Sequence, residues 1–468
     1  MNSVLQSLPE ITNIVGEDNI LIRTEERYCY SFDASRLQDV PDCVVFPGNS
    51  NEITNLLKLA NRAQFPVFPR GAGSGMVGGS VSCNGGVVMV LNRLNRILEI
   101  DQDNMLTVVE PGVITGDLQK AVSQYGLFYP PDPGSLKFST LGGNAATCAG
   151  GPRAVKYGVT RDYVMGLEVV LPTGCLAHTG TRTMKGVVGY DLTRLMVGSE
   201  GTLGVFTKII LRLVPAPEGI RTLLAVFPQI DDAAVAVREI MSNRIGPSTL
   251  ELMDQGTIAA VENYLHIGLP LQAEAILLIE IDGYECILDQ DAIKVRRICE
   301  RNGCSSVEAA QTNEDRERLW QARRAISPAL GQIRPGKINE DITVPRTKIP
   351  TLVRSIRALA NKYNLTIISF GHAGDGNLHT NIMLDRKNQN ELDRAEKAVE
   401  ELFRLVLDLG GTLSGEHGIG VTKSPYFQWE IGPESFDLML RIKQTLDPNN
   451  VLNPGKMFVP DRSFYKVG

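Results

Sequence analysis

Cysteine is present, but never in the pairs that metal or redox chemistry would use. The eight residues are Cys29, Cys43, Cys83, Cys148, Cys175, Cys286, Cys299 and Cys304, and no two form a C-x-x-C. A disulfide framework, a zinc ribbon and a cysteine-held iron–sulfur cluster all lose their ligands. Reduced thiols in a cytoplasmic protein are the expectation. Long apolar runs are also missing. No segment approaches ~18 uninterrupted apolar residues, so no transmembrane helix is expected. Residues 1–10 lack a basic region followed by an apolar stretch, so no signal peptide is expected. Positive charge is in deficit: 47 Lys+Arg stand against 53 Asp+Glu, net −6, with no basic block. That excludes nucleic acid as the main partner, because phosphate binding needs a clustered positive face. Hydrophobic residues at 43% and charged residues at 21% exclude disorder for the bulk of the chain.

What is in excess is glycine, 45 of 468 residues, gathered in clusters. At roughly 150 residues per domain the length predicts about three domains, or two large ones. The first stretch opens with an amphipathic helical pattern and reaches a short strand at Cys43-Val44-Val45. A helix follows over residues 51–63, apolar at Ile53, Leu56, Leu57, Leu59 and Ala60. Residues 61–218 read as short β-runs broken by glycine, among them 87–91, 106–110, 166–171 and 204–213. The run Val214-Pro215-Ala216-Pro217 reads as a domain boundary. From 220 to about 410, strand-like runs (223–227, 275–281) alternate with longer helical patterns (231–241, 288–301), an α+β pattern of the split β-α-β sort. A helix over 434–445 and the turn 447–455 close the chain.

Three glycine loops fall within the first part. The first, Pro69-Arg70-Gly71-Ala72-Gly73-Ser74-Gly75-Met76, follows a short strand over 65–68. Glycine at every second position lets successive backbone N–H groups converge on an anion. A dinucleotide fingerprint would need a third glycine where Met76 stands, and a helix directly after, so nicotinamide binding is not expected. The second stretch carries Pro133, Gly134 and Ser135, then Gly142, Gly143, Asn144, Gly150 and Gly151. The third is Gly198-Ser199-Glu200-Gly201-Thr202-Leu203-Gly204. Together they point to a large, flat, phosphate-bearing cofactor.

Histidine is the scarcest chemically active residue here, at five: His178, His266, His372, His379 and His417. Three lie in two glycine-rich loops of the second part. From Asn377 the sequence alternates as a strand does, so Asn377, His379 and Asn381 share one face. Gly371, Gly374 and Gly376 allow a reversal that brings His372 back beside His379. The second loop is Ser414-Gly415-Glu416-His417-Gly418. Two histidines and a carboxylate can hold a divalent metal with open positions, leaving either Glu416 or His417 as a base. A lone histidine on a strand is ordinarily structural, which is the reading for His178 and His266.

These motifs, with Thr140–Asn144, Gly189-Tyr190-Asp191-Leu192 and Asn453-Pro454-Gly455-Lys456, resemble the flavoproteins of the vanillyl-alcohol oxidase and p-cresol methylhydroxylase family. Within it the chain is most similar to the FAD-linked dehydrogenases of D-2-hydroxy acids, over roughly residues 40 to 458. The resemblance implies an α+β protein. A split FAD-binding domain of the vanillyl-alcohol oxidase type (1–218) is followed by an inserted ferredoxin-like substrate cap (219–420). A C-terminal segment (421–468) then returns to the FAD domain.

By the same likeness, Arg70, Gly71, Ala72, Gly73, Ser74 and Gly75 hold the FAD pyrophosphate. Pro133 to Gly151, with Tyr157 and Gly158, line the flavin. Glu200, Gly201, Leu203, Gly204 and Val205 hold the ADP half, and Asn453 returns to the flavin domain. No histidine occurs between Pro66 and Ser80, which predicts non-covalent FAD. The likeness assigns His372, His379 and Glu416 to a divalent metal, commonly zinc, and His417 to the base. It gives Arg323, three residues after Trp320, to the substrate carboxylate, and Lys337 and Asn381 to further substrate contacts.

The implied reaction oxidises a small D-2-hydroxy acid, D-lactate or glycolate, to the 2-oxo acid by metal-assisted proton abstraction and hydride transfer to flavin N5. The electron acceptor would be a separate protein, an iron–sulfur subunit or an electron-transferring flavoprotein. Two other readings compete: a metal-independent FAD-linked alcohol or sugar oxidase on the same fold, and a flavin electron-transfer subunit without its own substrate.

Overall fold

A computed structural model describes residues 3–458 and 466–467 of the chain. The rest of the expected 421–468 segment, residues 459–465 and 468, lies outside the described residues. The chain forms two compact units. The first comprises Met1–Gly150, Val159–Ala216 and Glu416–Gly468; the second comprises Gly151–Gly158 and Pro217–Gly415.

In the first unit, a small sheet has Cys43–Val45, Val87–Val90 and Val67–Arg70 as neighbouring parallel strands. Every residue of Cys43–Val45 and Val87–Val90 is buried, as strands covered on both faces require. The helix Ser50–Ala63 starts where the Asn49 side chain accepts the Glu52 N–H. The five apolar positions expected to face inward are all buried. It ends at Gln64 in the left-handed region, φ 56. A second sheet of five strands runs in the order Leu176–Gly180, Val164–Val170, Val205–Arg212, Leu106–Val109, Ile97–Asp101, all antiparallel.

The chain's last turn is part of this unit's core. The Val67 N–H donates to the Val451 carbonyl (2.7 Å) and the Asn453 N–H to the Val67 carbonyl (2.8 Å). Lys443, buried, donates to the carbonyls of Thr202 (2.9 Å) and Leu452 (2.7 Å) and to the Asp447 carboxylate. The closing helix is longer than the sequence pattern predicts. It spans Phe427–Leu446, interrupted at Gly432 (φ 72), where Gly432-Pro433 breaks the pattern that had marked only its second part.

The second unit is built on one seven-stranded sheet: β1 (Gly219–Phe227), β2 (Thr249–Asp254), β3 (Ala275–Gly283), β4 (Ser306–Ala309), β5 (Gly336–Thr343), β6 (Thr366–His372) and β7 (Asn377–Leu384). The order is β4-β1-β3-β2-β6-β7-β5, antiparallel throughout. The first four strands thus take the order of a split β-α-β motif. Its crossovers are the helices Ile230–Ser242 and Glu285–Arg301. The helix α1 (Asn313–Arg324) starts with a capping box, Thr312 with Asp315. It buries Leu319 and Ala322 in a cluster with Met253, Ile276, Leu278, Ile368 and Phe370.

Two boundaries differ from the sequence-based expectation, each for a local reason. Gly151–Gly158, expected with the cofactor domain, belongs to the second unit. There Lys156 and Tyr157 bond the Asp282 carboxylate, and Val155 lies so close to Gly374 that a Cβ would fall 2.7 Å away. Residues 416–420, expected with the cap, belong to the first unit. The N–H groups of Ile419 and Gly420 each donate to the Glu200 carboxylate at 2.7 Å.

Candidate functional site

Two centres emerge, one in each unit. In the first, the Gly-rich loop after Val67–Arg70 lies against the start of the helix Leu141–Thr147. Thr140 caps that helix by accepting the Gly143 N–H (3.2 Å). Side chains are excluded along this seam. A Cβ on Gly71 would fall 2.4 Å from the Thr140 hydroxyl, and one on Gly142 2.5 Å from Pro111. Gly73, at φ +70, lies over the Arg70 guanidinium, which a Cβ would approach to 2.1 Å. Arg70 is buried, with its guanidinium carbon 5.8 Å from the Tyr30 ring centroid. Burial lowers its pKa first, and the nearby Asp33 charge works the other way.

A cavity of about 620 Å³ opens beside these residues, lined among others by Arg70, Gly71, Ala72, Gly112 and Thr140. Backbone exposed on glycines, a helix start and a buried cation are what a bound pyrophosphate needs. The residues present therefore fit the phosphate-bearing cofactor that the glycine loops predict.

The third loop is brought to the same unit's C-terminal turn. Asn453 donates to the carbonyls of Glu200 (2.7 Å) and Gly79 (3.0 Å). Gly201 lies 3.6 Å, as a notional Cβ, from that amide, and Gly204 packs on Val169. The Glu200 side chain does something the sequence did not reveal. Both its oxygens hold the loop bearing Glu416 and His417. Glu416 and His417 approach each other to 4.0 Å, and Gly150 is held against Glu416, where a Cβ would meet the carboxylate at 3.0 Å. Pro133, Gly134 and Ser135 form a turn closed by the Leu136 N–H on the Pro133 carbonyl (2.8 Å). Tyr157, Gly158 and Gly151 stand in the other unit, Tyr157 with its hydroxyl on Asp282 (2.9 Å).

The second centre is on the face of the seven-stranded sheet where β2, β6, β7 and β5 meet. Cross-strand register sets Glu251 opposite His372, Phe370 opposite His379, Asp341 opposite His379, and Asn339 opposite Asn381. The tight reversal between β6 and β7 requires glycine. Gly376, at φ +91, would place a Cβ 2.0 Å from the Val344 carbonyl. The reversal brings the two rings together: His372 and His379 are buried, with centroids 5.3 Å apart and planes at 86°. His372 Nδ1 meets the Glu251 carboxylate, so Nε2 is the ring atom directed elsewhere.

Glu251 is fully buried, and Arg323 Nε donates to its other oxygen. Burial alone would push this carboxyl up. The charges of Arg323 and His372 outweigh burial and bring it down to about 2. Arg323 is not a solvated helix-face residue; its side chain is 15% exposed, and its guanidinium lies 4.9 Å from the Phe370 ring centroid. Asn381 is fully buried, donates to the His379 carbonyl at 3.3 Å, and has no protein donor on its side-chain oxygen. The facing Asn339 amide oxygen likewise has none. Lys337 is further along β5, opposite Met383, with Nζ 3.5 Å from the Ser327 hydroxyl.

His372 and His379 together have the donor type, the burial and the proximity to hold a divalent metal. Glu416 follows Gly415, whose N–H donates to the Asp341 carbonyl (3.0 Å) next to His379 on the sheet. Glu251 and Asn339 were missed by the sequence reading. The only signal for Glu251 is an acidic residue inside the apolar strand pattern Leu250-Glu251-Leu252-Met253.

Comparisons with known proteins agree with this architecture. A family model described as FAD linked oxidases, C-terminal domain, matches residues 216–457, and one described as FAD binding domain matches 41–180. The chain is 46% identical over 453 residues to glycolate oxidase subunit GlcD of Bacillus subtilis, covering 97% of this chain and 96% of that one. It is 36% identical over 466 residues to D-lactate dehydrogenase of Anaerostipes hadrus, covering 97% and 98%. Among solved structures, p-cresol methylhydroxylase superposes with a TM-score of 0.82 at 18% identity, covering 98% of this chain and 97% of that chain, a likeness of fold. 4-Ethylphenol oxidase from Gulosibacter chungangensis gives 0.80 at 19% identity, covering 98% of each.

Proposed function

Because the chain belongs to the FAD-linked oxidases, we propose that it oxidises a small D-2-hydroxy acid, D-lactate or glycolate, to the 2-oxo acid. FAD is bound without a covalent link, and a divalent metal, zinc, is held by His372, His379 and Glu416. The observation that carries this reading is the buried His372–His379 pair beside Arg323, joined through Glu251. A cation-binding pair and a fixed guanidinium on one sheet face match a ligand with a hydroxyl next to a carboxylate. Relatives named as a glycolate oxidase subunit and a D-lactate dehydrogenase support the substrate class.

When bound, the metal lowers the pKa of the substrate hydroxyl and FAD supplies the two-electron acceptor. The chain's own residues do the rest. Arg323 grips the substrate carboxylate through its outer guanidinium nitrogens, as a fork matches a carboxylate. Asn381 presents its amide oxygen from the floor of the site, and Lys337 guards the rim. A ring nitrogen of His417 accepts the hydroxyl proton. Residues 70–75 hold the pyrophosphate, Glu200–Val205 the ADP half, and Pro133 to Gly151 with Tyr157 and Gly158 the flavin. A separate protein would take the electrons onward. No cysteine pair in the chain could hold an iron–sulfur relay, and the Bacillus subtilis relative bears the name of a subunit.

The test is anaerobic mixing of the yellow protein with a panel of D- and L-2-hydroxy acids, following flavin absorbance. Bleaching by D-lactate or glycolate and not by the L-acids is expected. Bleaching by simple alcohols or sugars instead would overturn the substrate class.

A further inference from the structure

Glu251 touches two residues to which the proposed reaction gives different tasks, yet it has no task of its own in that scheme. Its carboxylate is fully buried on β2. One oxygen receives His372 Nδ1 from β6, and the other receives Arg323 Nε from α1. Two N–H donors from separate elements therefore converge on a single group. An ionised carboxylate accepts both. A carboxamide of the same shape has one acceptor and one donor end, so it would either set a donor against Arg323 Nε or turn His372 to the tautomer whose Nε2 carries the proton.

We infer that Glu251 is a positioning residue that sets the metal-binding and carboxylate-binding groups in one frame. This inference rests on the metal reading given above. By taking Nδ1, Glu251 selects the His372 tautomer whose Nε2 is available to a metal and locks the ring's direction, the usual work of a carboxylate behind a ligating histidine. By taking Nε of Arg323, it fixes the guanidinium plane over Phe370 and leaves the two terminal nitrogens of the fork for an incoming carboxylate. The distance between the substrate's hydroxyl and its carboxylate is then matched by a spacing that one side chain sets.

The experiment compares the wild-type holoenzyme with Glu251→Gln. Each is stripped of metal and titrated with Zn²⁺ against a chromogenic chelator, with FAD content measured in the same samples. Steady-state KM and kcat for D-lactate and glycolate are measured alongside. Glu251→Gln is expected to weaken zinc binding by about 10–100-fold, the usual cost of losing such a partner. KM should rise by about tenfold or more, as one charge-assisted hydrogen bond is lost, with FAD content unchanged. Equal zinc affinity in both proteins would overturn the positioning role and leave the metal reading standing. A wild type that binds no zinc would overturn the metal reading itself, and this inference with it. A variant that loses FAD in proportion to zinc would mark a general folding defect and also overturn the assignment. Should Glu251→Gln fail to fold because Arg323 is left as a buried unpaired charge, Glu251→Gln/Arg323→Gln removes that charge too. Wild-type zinc affinity in the double variant would likewise overturn the role.

Discussion

At the scale of single residues, the proposed base is the sharpest commitment. His417→Ala should slow flavin reduction by about 10²–10⁴-fold, the usual worth of a general base, with substrate binding changed much less. Stopped-flow reduction at saturating substrate measures it, and a loss below tenfold would move the role elsewhere. A second outcome concerns the link to FAD: acid precipitation should release all the flavin, because no histidine stands in the first glycine loop. Flavin retained on the pelleted polypeptide would refute it. The histidines were legible in the sequence because five in a chain of this length leave few coincidences, and three sit among glycines. Glu251 was not legible. Its partnership with His372 spans 121 positions and arises only from the pairing of β2 with β6. No local pattern encodes a register between two strands so far apart.

At the scale of elements, periodicity carried well where one face is buried. The helix Ser50–Ala63 buries the same five residues that the apolar spacing marks. It carried less well where a kink interrupts the pattern, as at Gly432 in the last helix. The reversal between β6 and β7 gives an element-level outcome. Gly376→Ala would drive a Cβ into the Val344 carbonyl at a backbone angle only glycine adopts readily. A destabilisation on the order of 1–3 kcal/mol follows, with zinc lost before FAD as the protein is warmed, read by metal release against flavin fluorescence. The C-terminal turn gives another. Lys443→Met leaves Asp447 buried without its cation and the Thr202 and Leu452 carbonyls without their donor. A cost of about 3–5 kcal/mol is expected, seen as a lowered Tm by calorimetry. A wild-type Tm would show that the turn is held otherwise.

At the scale of the whole molecule, the two units divide the proposed chemistry. The first and third glycine loops, Arg70, Asn453 and the segment bearing Glu416 and His417 belong to one, and the His372–His379 pair with Arg323 to the other. Chelation should abolish flavin reduction by substrate and leave FAD bound, because none of the residues proposed to hold the pyrophosphate or the ADP half is a proposed metal ligand; elemental analysis beside the flavin spectrum checks it. Full activity in metal-free protein would sink the metal proposal. If a separate protein takes the electrons onward, as proposed, turnover should be fast with an artificial dye and slow with oxygen or NAD⁺. Among the described residues no helix is long and apolar enough to cross a membrane. The α+β alternation after residue 220 and the boundary at 214–217 were legible from patterning and Pro-rich punctuation, whereas the split-and-inserted order was an implication of the family resemblance. The fine boundaries at 151–158 and 416–420 were not, because they go with tertiary bonds to Asp282 and Glu200.

The pairing of Val67 with Val451 and Asn453 also bears on synthesis. On the ribosome, the strand Val67–Arg70 emerges several hundred residues before the segment that completes its surroundings. At roughly 5–20 residues per second, that wait is roughly 20–80 s. The second unit is almost entirely one uninterrupted stretch, so it can fold while the first is still an open intermediate with apolar surface showing. The nascent chain is therefore expected to finish its inserted part before its beginning. Chaperone binding should concentrate on the early strands, and ribosome-bound chains stopped near residue 440 should be cut by protease within residues 40–150 yet resist it within 217–415.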